Sequence, residues 1–235
     1  SAGAISRKEQ DSFAALSHER AATAIKEGRL AEEIVPVSIV QRPTRGATAE
    51  PIVVEHDEGV RPGTTVETLG ALRPAFDPDG TVTAGNASQL SDGASAVVVM
   101  SKAEAERRGV TPLGEFVAYG MVAGPDSASL LHQPSGAIDA ALRRANLAVG
   151  DIDLFEINEA FAAVGLASVA DLGLSADAVN VNGGAIALGH PIGMSGNRLA
   201  LTLLHELRRR GGGTGAAALC GGGGQGDALI VRTVA

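Results

Sequence analysis

Three short stretches gather the residue types that exchange protons and hold oxygens. Residues 180–197 read N-V-N-G-G-A-I-A-L-G-H-P-I-G-M-S-G-N, with His190 between Gly189 and Pro191. Asn158-Glu159-Ala160-Phe161 comes before it; Cys220, the chain's one cysteine, comes after it and is followed by Gly221-Gly222-Gly223-Gly224-Gln225-Gly226. Imidazoles and thiols work as acids and bases, a carboxamide offers donors and an acceptor, and glycines let a ligand or another backbone approach closely. Taken singly, each stretch also has an ordinary explanation: a surface histidine in a loop, an asparagine N-cap, a flexible turn. The glycine run satisfies G-x-G-x-x-G, yet that fingerprint needs a helix directly after it, and residues 227–234 read as a strand, so the run is a hairpin turn instead. His18, His56 and His205 share no metal-ligand spacing. His132, in a loop beside Pro134, reads as solvent-exposed rather than catalytic.

The elements that must position these residues follow from apolar periodicity. Ser6 with Glu9 is a capping box, and Phe13, Leu16, Ala24 and Ile25 predict an amphipathic helix that Gly28 stops. Strand-like runs follow at 34–40 and 52–55, then a short helix at 64–72, all within a loop-rich stretch with no regular alternation. After Asp92 the pattern changes. A strand is expected at 94–100, a helix from Ser101 to Gly109, and a strand at 115–122. Helices at 135–146, 159–172 and up to Arg210 then alternate with strands at 151–157, 178–181 and 215–219, and a last strand covers 228–234. Such alternation predicts an α/β fold with a largely parallel sheet, whose sites gather at the strands' carboxyl ends. Asn158, His190 and Cys220 all lie at or just past such ends.

Composition narrows the function classes. With 235 residues, 45% of them apolar, the chain can bury a substantial core, and a net charge of −8 without a dense basic block argues against nucleic acid. The basic run Arg208 to Arg210 suits a helix C-terminus, where cations face the negative end of the dipole. No apolar run is long enough for a membrane span, and a single cysteine excludes an internal disulfide, which suits a reducing, cytoplasmic compartment. The opening Ser-Ala-Gly-Ala, without a methionine, reads as a chain cut from something longer.

Together, N-E-A-F, G-G-A-I-A-L-G-H-P-I-G-M-S-G and C-G-G-G-G, in this order, strongly resemble the second half of a thiolase. Thr83-Ala84-Gly85-Asn86-Ala87-Ser88 and Asp92-Gly93-Ala94 resemble the same family upstream. The resemblance implies a thiolase-like layered mixed sheet with helices on its faces, preceded by a partial loop-rich domain. It divides the chain into a loop domain at 1–90, the last strand and helix of an otherwise missing amino-terminal domain at 91–111, and a carboxyl-terminal domain at 112–235. It implies acyl transfer between coenzyme A thioesters, by thiolysis of a 3-oxoacyl-CoA or Claisen condensation. In that chemistry Cys220 is the acid/base, and His190 activates the acylated cysteine and donates to a thioester oxygen. Asn158 holds a water beside His190, and the Gly222 N–H contributes to a second oxyanion hole. The coenzyme A site falls along Arg61, Phe76, Ala84 and Ser88, with Ala160 and Phe161. Coenzyme A enters as substrate, and no resident cofactor or metal is expected. A homodimer or homotetramer is.

Departures from the family bear on activity. Thiolases use two cysteines, and Cys220 matches the second, so the nucleophile belongs to an amino-terminal half that this chain lacks; alone, the chain is expected to be inactive. Ser129-Leu130-Leu131-His132-Gln133-Pro134 replaces M-G-x-G-P, and Gln89 and Gln225 stand where glycine and methionine are frequent, which leaves acyl-chain preference open. A ketoacyl synthase suits the fold but not N-E-A-F beside C-G-G-G-G. A non-catalytic coenzyme A-binding or assembly subunit of a split complex is the alternative from another class.

Overall fold

The computed structural model describes residues 5–40 and 50–234. Helix α1 (Arg7–Lys26) starts on the expected capping box: the Ser6 hydroxyl accepts from the Glu9 N–H while the Glu9 carboxylate accepts from the Ser6 N–H. Its buried face differs from the expected apolar one. Gln10, Asp11, Ala14, Ser17, His18, Ala21 and Ala24 are buried, a 3.6-residue stripe that is half polar, whereas Phe13, Leu16 and Ile25 are half-buried beside it. Polar side chains can line that face because each meets a partner from a distant segment. Asp11 accepts from Arg7 and from the Asn86 amide, and His18 Nδ1 accepts from the Arg61 N–H at 3.2 Å.

Strands β1 (Val37–Ile39) and β2 (Ile52–Val54) form an isolated antiparallel pair, and most of the link between them lies outside the described residues. Short helices α2 (Val66–Gly70) and α3 (Lys102–Arg108) follow, α3 ending at Gly109 as expected. The segment 94–100 between them is not the strand its sequence predicts. It pairs with no described strand, and Val97, Val98, Val99 and Met100 are exposed. A strand exists only by hydrogen bonding to a neighbour, and none is offered to these residues.

The remaining elements are β3 (Gly114–Ala123), α4 (Gln133–Ala145), β4 (Leu154–Ile157), α5 (Ala162–Leu172), α6 (Ala185–Leu188), α7 (Ser195–Arg209), β5 (Thr214–Gly221) and β6 (Gln225–Thr233). The sheet order is β3-β6-β5-β4. Only β4 and β5 run parallel; β6 is antiparallel to both neighbours. The largely parallel sheet predicted from alternation is therefore a mixed one, because the tight hairpin between Gly221 and Gln225 reverses the chain. Helix α4 covers one face by packing Ile138 and Leu142 with Ile157 of β4 and Ile230 of β6, α5 adds Val169 and Leu172 to that cluster, and α7 covers the other face through Leu199, Leu203 and Leu207. Ala216, Ala217 and Ala218 in β5 are all buried between the layers. Small side chains there let helices approach from both sides.

The strand expected at 178–181 reduces to one parallel bridge, Val179 to Phe155, after a 3₁₀ turn at Ala176–Ala178. Asn180, with a left-handed φ of 47°, completes that edge with its side chain. Its amide accepts from the Ile157 N–H and donates to the Ile157 carbonyl, both at 2.8 Å, in place of a peptide group.

Candidate active site

Asn158 continues the β4–β5 ladder, its N–H donating to the Ala218 carbonyl at 2.9 Å. Ile157 pairs with Ala218, so Asn158 stands level with Leu219, one residue short of Cys220 on the neighbouring parallel strand. Both groups thus reach the same carboxyl edge of the sheet, where sites in such sheets form. Asn158 is not the helix cap that its position suggests. Helix α5 begins four residues later, with Phe161 as an N-cap that makes no side-chain bond. The Asn158 side chain, fully buried, instead points its Nδ2 at His190 Nε2, 3.2 Å away, while its Oδ1 has no hydrogen-bond partner.

His190 is carried there by the turn after α6. Its other ring nitrogen, Nδ1, lies 2.5 Å from the hydroxyl of Ser195, the first residue of α7. Burial and then the nearby Arg198 charge hold the imidazole below its ordinary pKa, so the neutral ring prevails near pH 7. Cys220, half-buried and paired with Gly226, has its thiol pushed up by burial. It keeps its proton at neutral pH, and the thiolate it forms on ionising is correspondingly basic. Gly222 sits in the open hairpin turn, where an added Cβ would meet nothing, leaving room for a group to come up to its backbone.

Behind these groups lies a residue to which N-E-A-F reasoning gave no role. Glu159 is 1% exposed, and its carboxylate accepts from the Ser17 hydroxyl at 2.6 Å, the Asn180 amide at 2.9 Å and the Ile186 N–H at 3.1 Å. It ties α1, the Asn180 turn and the start of α6 to the end of β4. Glycine is required beside it: a Cβ at Gly184 would lie 2.2 Å from the Glu159 carboxyl carbon. Glu156, also buried, is pushed up to about 8 by burial, against the pull of Arg198 at 3.3 Å. Ser195, Glu156 and Arg198 were likewise invisible as site residues, because their partners are set by folding rather than by spacing. Ser195, five residues after His190, was the one within reach of a local argument.

The residues expected to contact coenzyme A separate into two sets. Residues 84–88 lie along N-E-A-F: the Ser88 N–H donates to the Ala160 carbonyl at 3.0 Å, Ala87 bridges Phe161, and the Ala162 N–H donates to the Asn86 carbonyl. Ala84 is exposed at the outer end of this stretch, and Ser88, Ala160 and Phe161 are half-buried. Arg61 and Phe76 instead present exposed side chains, Phe76 at 79%, with no described contact to that set. His132 is exposed as expected and lies 2.8 Å from Asp171. Among the described residues no group of histidine, cysteine, aspartate and glutamate is arranged to hold a metal, and no helix is long and apolar enough to cross a membrane.

Family profiles decide the ancestry of this arrangement: the thiolase C-terminal domain profile matches residues 110–233, and the thiolase N-terminal domain profile matches residues 2–103. The chain belongs to the thiolase family. It is 58% identical to a probable acetyl-CoA acetyltransferase of Mycolicibacterium smegmatis over 97% of its own length and 57% of the relative's. It is 50% identical to a 3-ketoacyl-CoA thiolase of Aeromonas hydrophila, over 98% of its length and 59% of the relative's. Among solved thiolases, an acetyl-CoA acetyltransferase of Bacillus anthracis superposes with a TM-score of 0.92 at 43% identity, covering 98% of this chain and 57% of that one. A human mitochondrial 3-ketoacyl-CoA thiolase in complex with CoA gives 0.90 at 43% identity, covering 98% and 55%. The chain therefore spans a little over half the length of the thiolases it matches, and the fold is the thiolase one with a mixed sheet.

Proposed function

We propose that this chain is part of a thiolase that transfers acyl groups between coenzyme A thioesters, as acetoacetyl-CoA or 3-oxoacyl-CoA thiolysis or as the reverse condensation. The observation that carries the reading is the meeting of Asn158 and His190 at the sheet edge that also holds Cys220. Condensation needs a proton removed next to a thioester carbonyl: the Cys220 thiol first gives its own proton to the coenzyme A thiolate that leaves on acylation, and the thiolate so formed, strongly basic because its pKa is raised, takes the proton from the second thioester. The enolate oxygen that results is held by His190 Nε2 once protonated and by a water on the Asn158 amide, whose Oδ1 is unoccupied by protein. The Gly222 N–H serves the tetrahedral intermediate in the other half-reaction. Along 84–88 the thioester arm lies against Ala160 and Phe161, with Arg61 and Phe76 toward the nucleotide end, and no resident cofactor takes part.

The nucleophilic cysteine comes from the part of a thiolase that this chain does not span, which would be its first partner. The exposed apolar run Val97, Val98, Val99 and Met100, inside the 91–111 unit between the 1–90 and 112–235 ones, supports a strand that pairs with that missing part. Homo-oligomer formation and a cytoplasmic setting belong to the same reading. The test is co-expression of this chain with the complementary amino-terminal part of a related thiolase, followed by an acetoacetyl-CoA cleavage assay. Cleavage that is lost in Cys220→Ala is expected. An assembled pair that binds coenzyme A but does not turn over would favour a non-catalytic coenzyme A-binding or assembly subunit.

A further inference from the structure

The His190 ring is held on its far side by a short relay from Nδ1 through the Ser195 hydroxyl to the Pro191 carbonyl. Ser195, 1% exposed at the start of α7, places its Oγ 2.5 Å from His190 Nδ1 and 3.0 Å from the Pro191 carbonyl oxygen. A carbonyl can only accept, and the serine has one hydrogen to give. The hydroxyl back-bonds to the carbonyl four residues earlier, a common arrangement for serine in a first helical turn, and that carbonyl also receives the Met194 and Ser195 N–H groups at 3.0 Å. With its hydrogen so used, Oγ faces Nδ1 as an acceptor, an arrangement that favours the proton on Nδ1. Nε2 then carries the lone pair, which agrees with the other end of the ring, where Asn158 presents Nδ2, a donor.

We infer that Ser195 is a positioning residue that locks His190 in the Nδ1–H tautomer, so that Nε2 is the atom that accepts a proton and then returns it as a hydrogen bond. This rests on the thiolase reading for its consequence in turnover, but not for the tautomer itself. The proton balance is simple. A thiol on the reaction path gives its proton to Nε2, the ring becomes imidazolium with Nδ1–H still on Ser195, and Nε2–H faces the thioester oxygen until the proton leaves by the same nitrogen. Burial and Arg198 keep the ring neutral beforehand, so the lone pair is available near pH 7. Without the relay the Nδ1–H loses its acceptor, and the ring is free to hold its proton on Nε2 instead.

The test reads the tautomer directly, by nitrogen-15 NMR of the full chain labelled at histidine, with His190 assigned through His190→Gln. His190 Nδ1 is expected to resonate as a protonated, pyrrole-type nitrogen and Nε2 as a pyridine-type one, both in the wild type and in Ser195→Thr, which keeps the hydroxyl. Ser195→Ala is expected to shift the population toward protonated Nε2. In the assembled enzyme Ser195→Ala should lose about 10–100-fold in kcat, by analogy with removal of the hydrogen-bond partner behind a metal-bound imidazole, with KM for the acyl-CoA little changed. A wild-type ring carrying its proton on Nε2 overturns the inference, as does a Ser195→Ala protein with unchanged nitrogen shifts and unchanged kcat. If the NMR result is as expected while no assembled wild-type enzyme turns over, the tautomer stands and the thiolase reading fails.

Discussion

Asn158 Nδ2 and His190 Nε2 lie 3.2 Å apart across 32 residues of chain, one at a strand end and the other in a glycine-rich turn. Two separately built elements converge on one hydrogen bond in a half-buried place, where a polar pair is expensive to assemble without a use. In the assembled enzyme His190→Ala should lower kcat by about a hundredfold or more, the usual cost of an oxyanion donor, and leave KM for the acyl-CoA nearly unchanged. Near-wild-type turnover in the purified variant would take His190 out of the mechanism.

Glu159 gives the structural counterpart. Its three partners, the Ser17 hydroxyl, the Asn180 amide and the Ile186 N–H, are all buried donors. Glu159→Ala orphans all three, and the loss is only partly offset by removing a buried carboxylate, so a destabilisation of about 2–4 kcal/mol is expected. Ser17→Ala should cost less, about 1–2 kcal/mol, since it removes one arm. Urea unfolding midpoints at constant m-value measure both. A Glu159→Ala protein within about 0.5 kcal/mol of wild type would mean that the clamp contributes nothing to stability.

The contrast between Glu9 and Glu159 shows what the sequence can disclose. Glu9 pairs with a residue three positions away, so its capping role could be read off the chain. The Glu159 carboxylate meets Ser17 across 142 positions, and no spacing rule reaches that far. The same holds for the sheet. Each of β3, β4, β5 and β6 announced itself by apolar pattern, and the C-G-G-G-G hairpin by its glycines, but the order β3-β6-β5-β4 depends on which faces must be covered at once. Residues 94–100 have the composition of a strand and no described neighbour to make them one. Residues 178–181 look apolar enough for a strand, yet Asn180 closes that edge through its side chain, which no propensity foresees. Asn158, His190 and Cys220 could be singled out because glycines and strand ends mark where a fold leaves space, but the roles expected of them came only with the family resemblance.

Glu156 sets a pH dependence of stability. Its pKa rises from the ordinary value of 4.5 to about 8, chiefly by burial. Between those values the folded chain holds a proton that the unfolded chain has released, so this carboxyl makes stability fall as pH rises through that window. Its contribution is fully favourable below the unfolded value and lost above about 8. Glu156→Gln should flatten the curve of unfolding free energy against pH across this range. An unchanged slope in the variant would place the titrating group elsewhere.

Arg61 and Phe76 are both exposed, and the proposed reading gives them the nucleotide end of the ligand. Interactions made equally in ground and transition states lower KM without raising kcat. Arg61→Ala and Phe76→Ala should therefore raise KM for acetoacetyl-CoA in the assembled enzyme while leaving kcat close to wild type. A short pantetheine thioester, which lacks the nucleotide, should be indifferent to both. Equal effects on the two substrates would move these residues away from the nucleotide.

The chain on its own should be unable to form the acyl-enzyme on which a thiolase turns over. Its one thiol, Cys220, is half-buried near the end of β5 with its pKa raised, the opposite of what an attacking nucleophile needs at neutral pH. Among the described residues that sulfur has no ring nitrogen or side-chain hydroxyl as a hydrogen-bond partner, whereas His190 is occupied by Asn158 and Ser195. A brief pulse of acetyl-CoA should leave the intact mass of the isolated chain unchanged. After association with the complementary part of a thiolase, the same pulse should add one acetyl group, mapped by peptide analysis to a cysteine of that part, and Cys220→Ala should retain this adduct while losing condensation. A rapid, stoichiometric adduct on Cys220 of the isolated chain, followed by turnover, would make this cysteine the nucleophile and reverse the division of labour between the two parts.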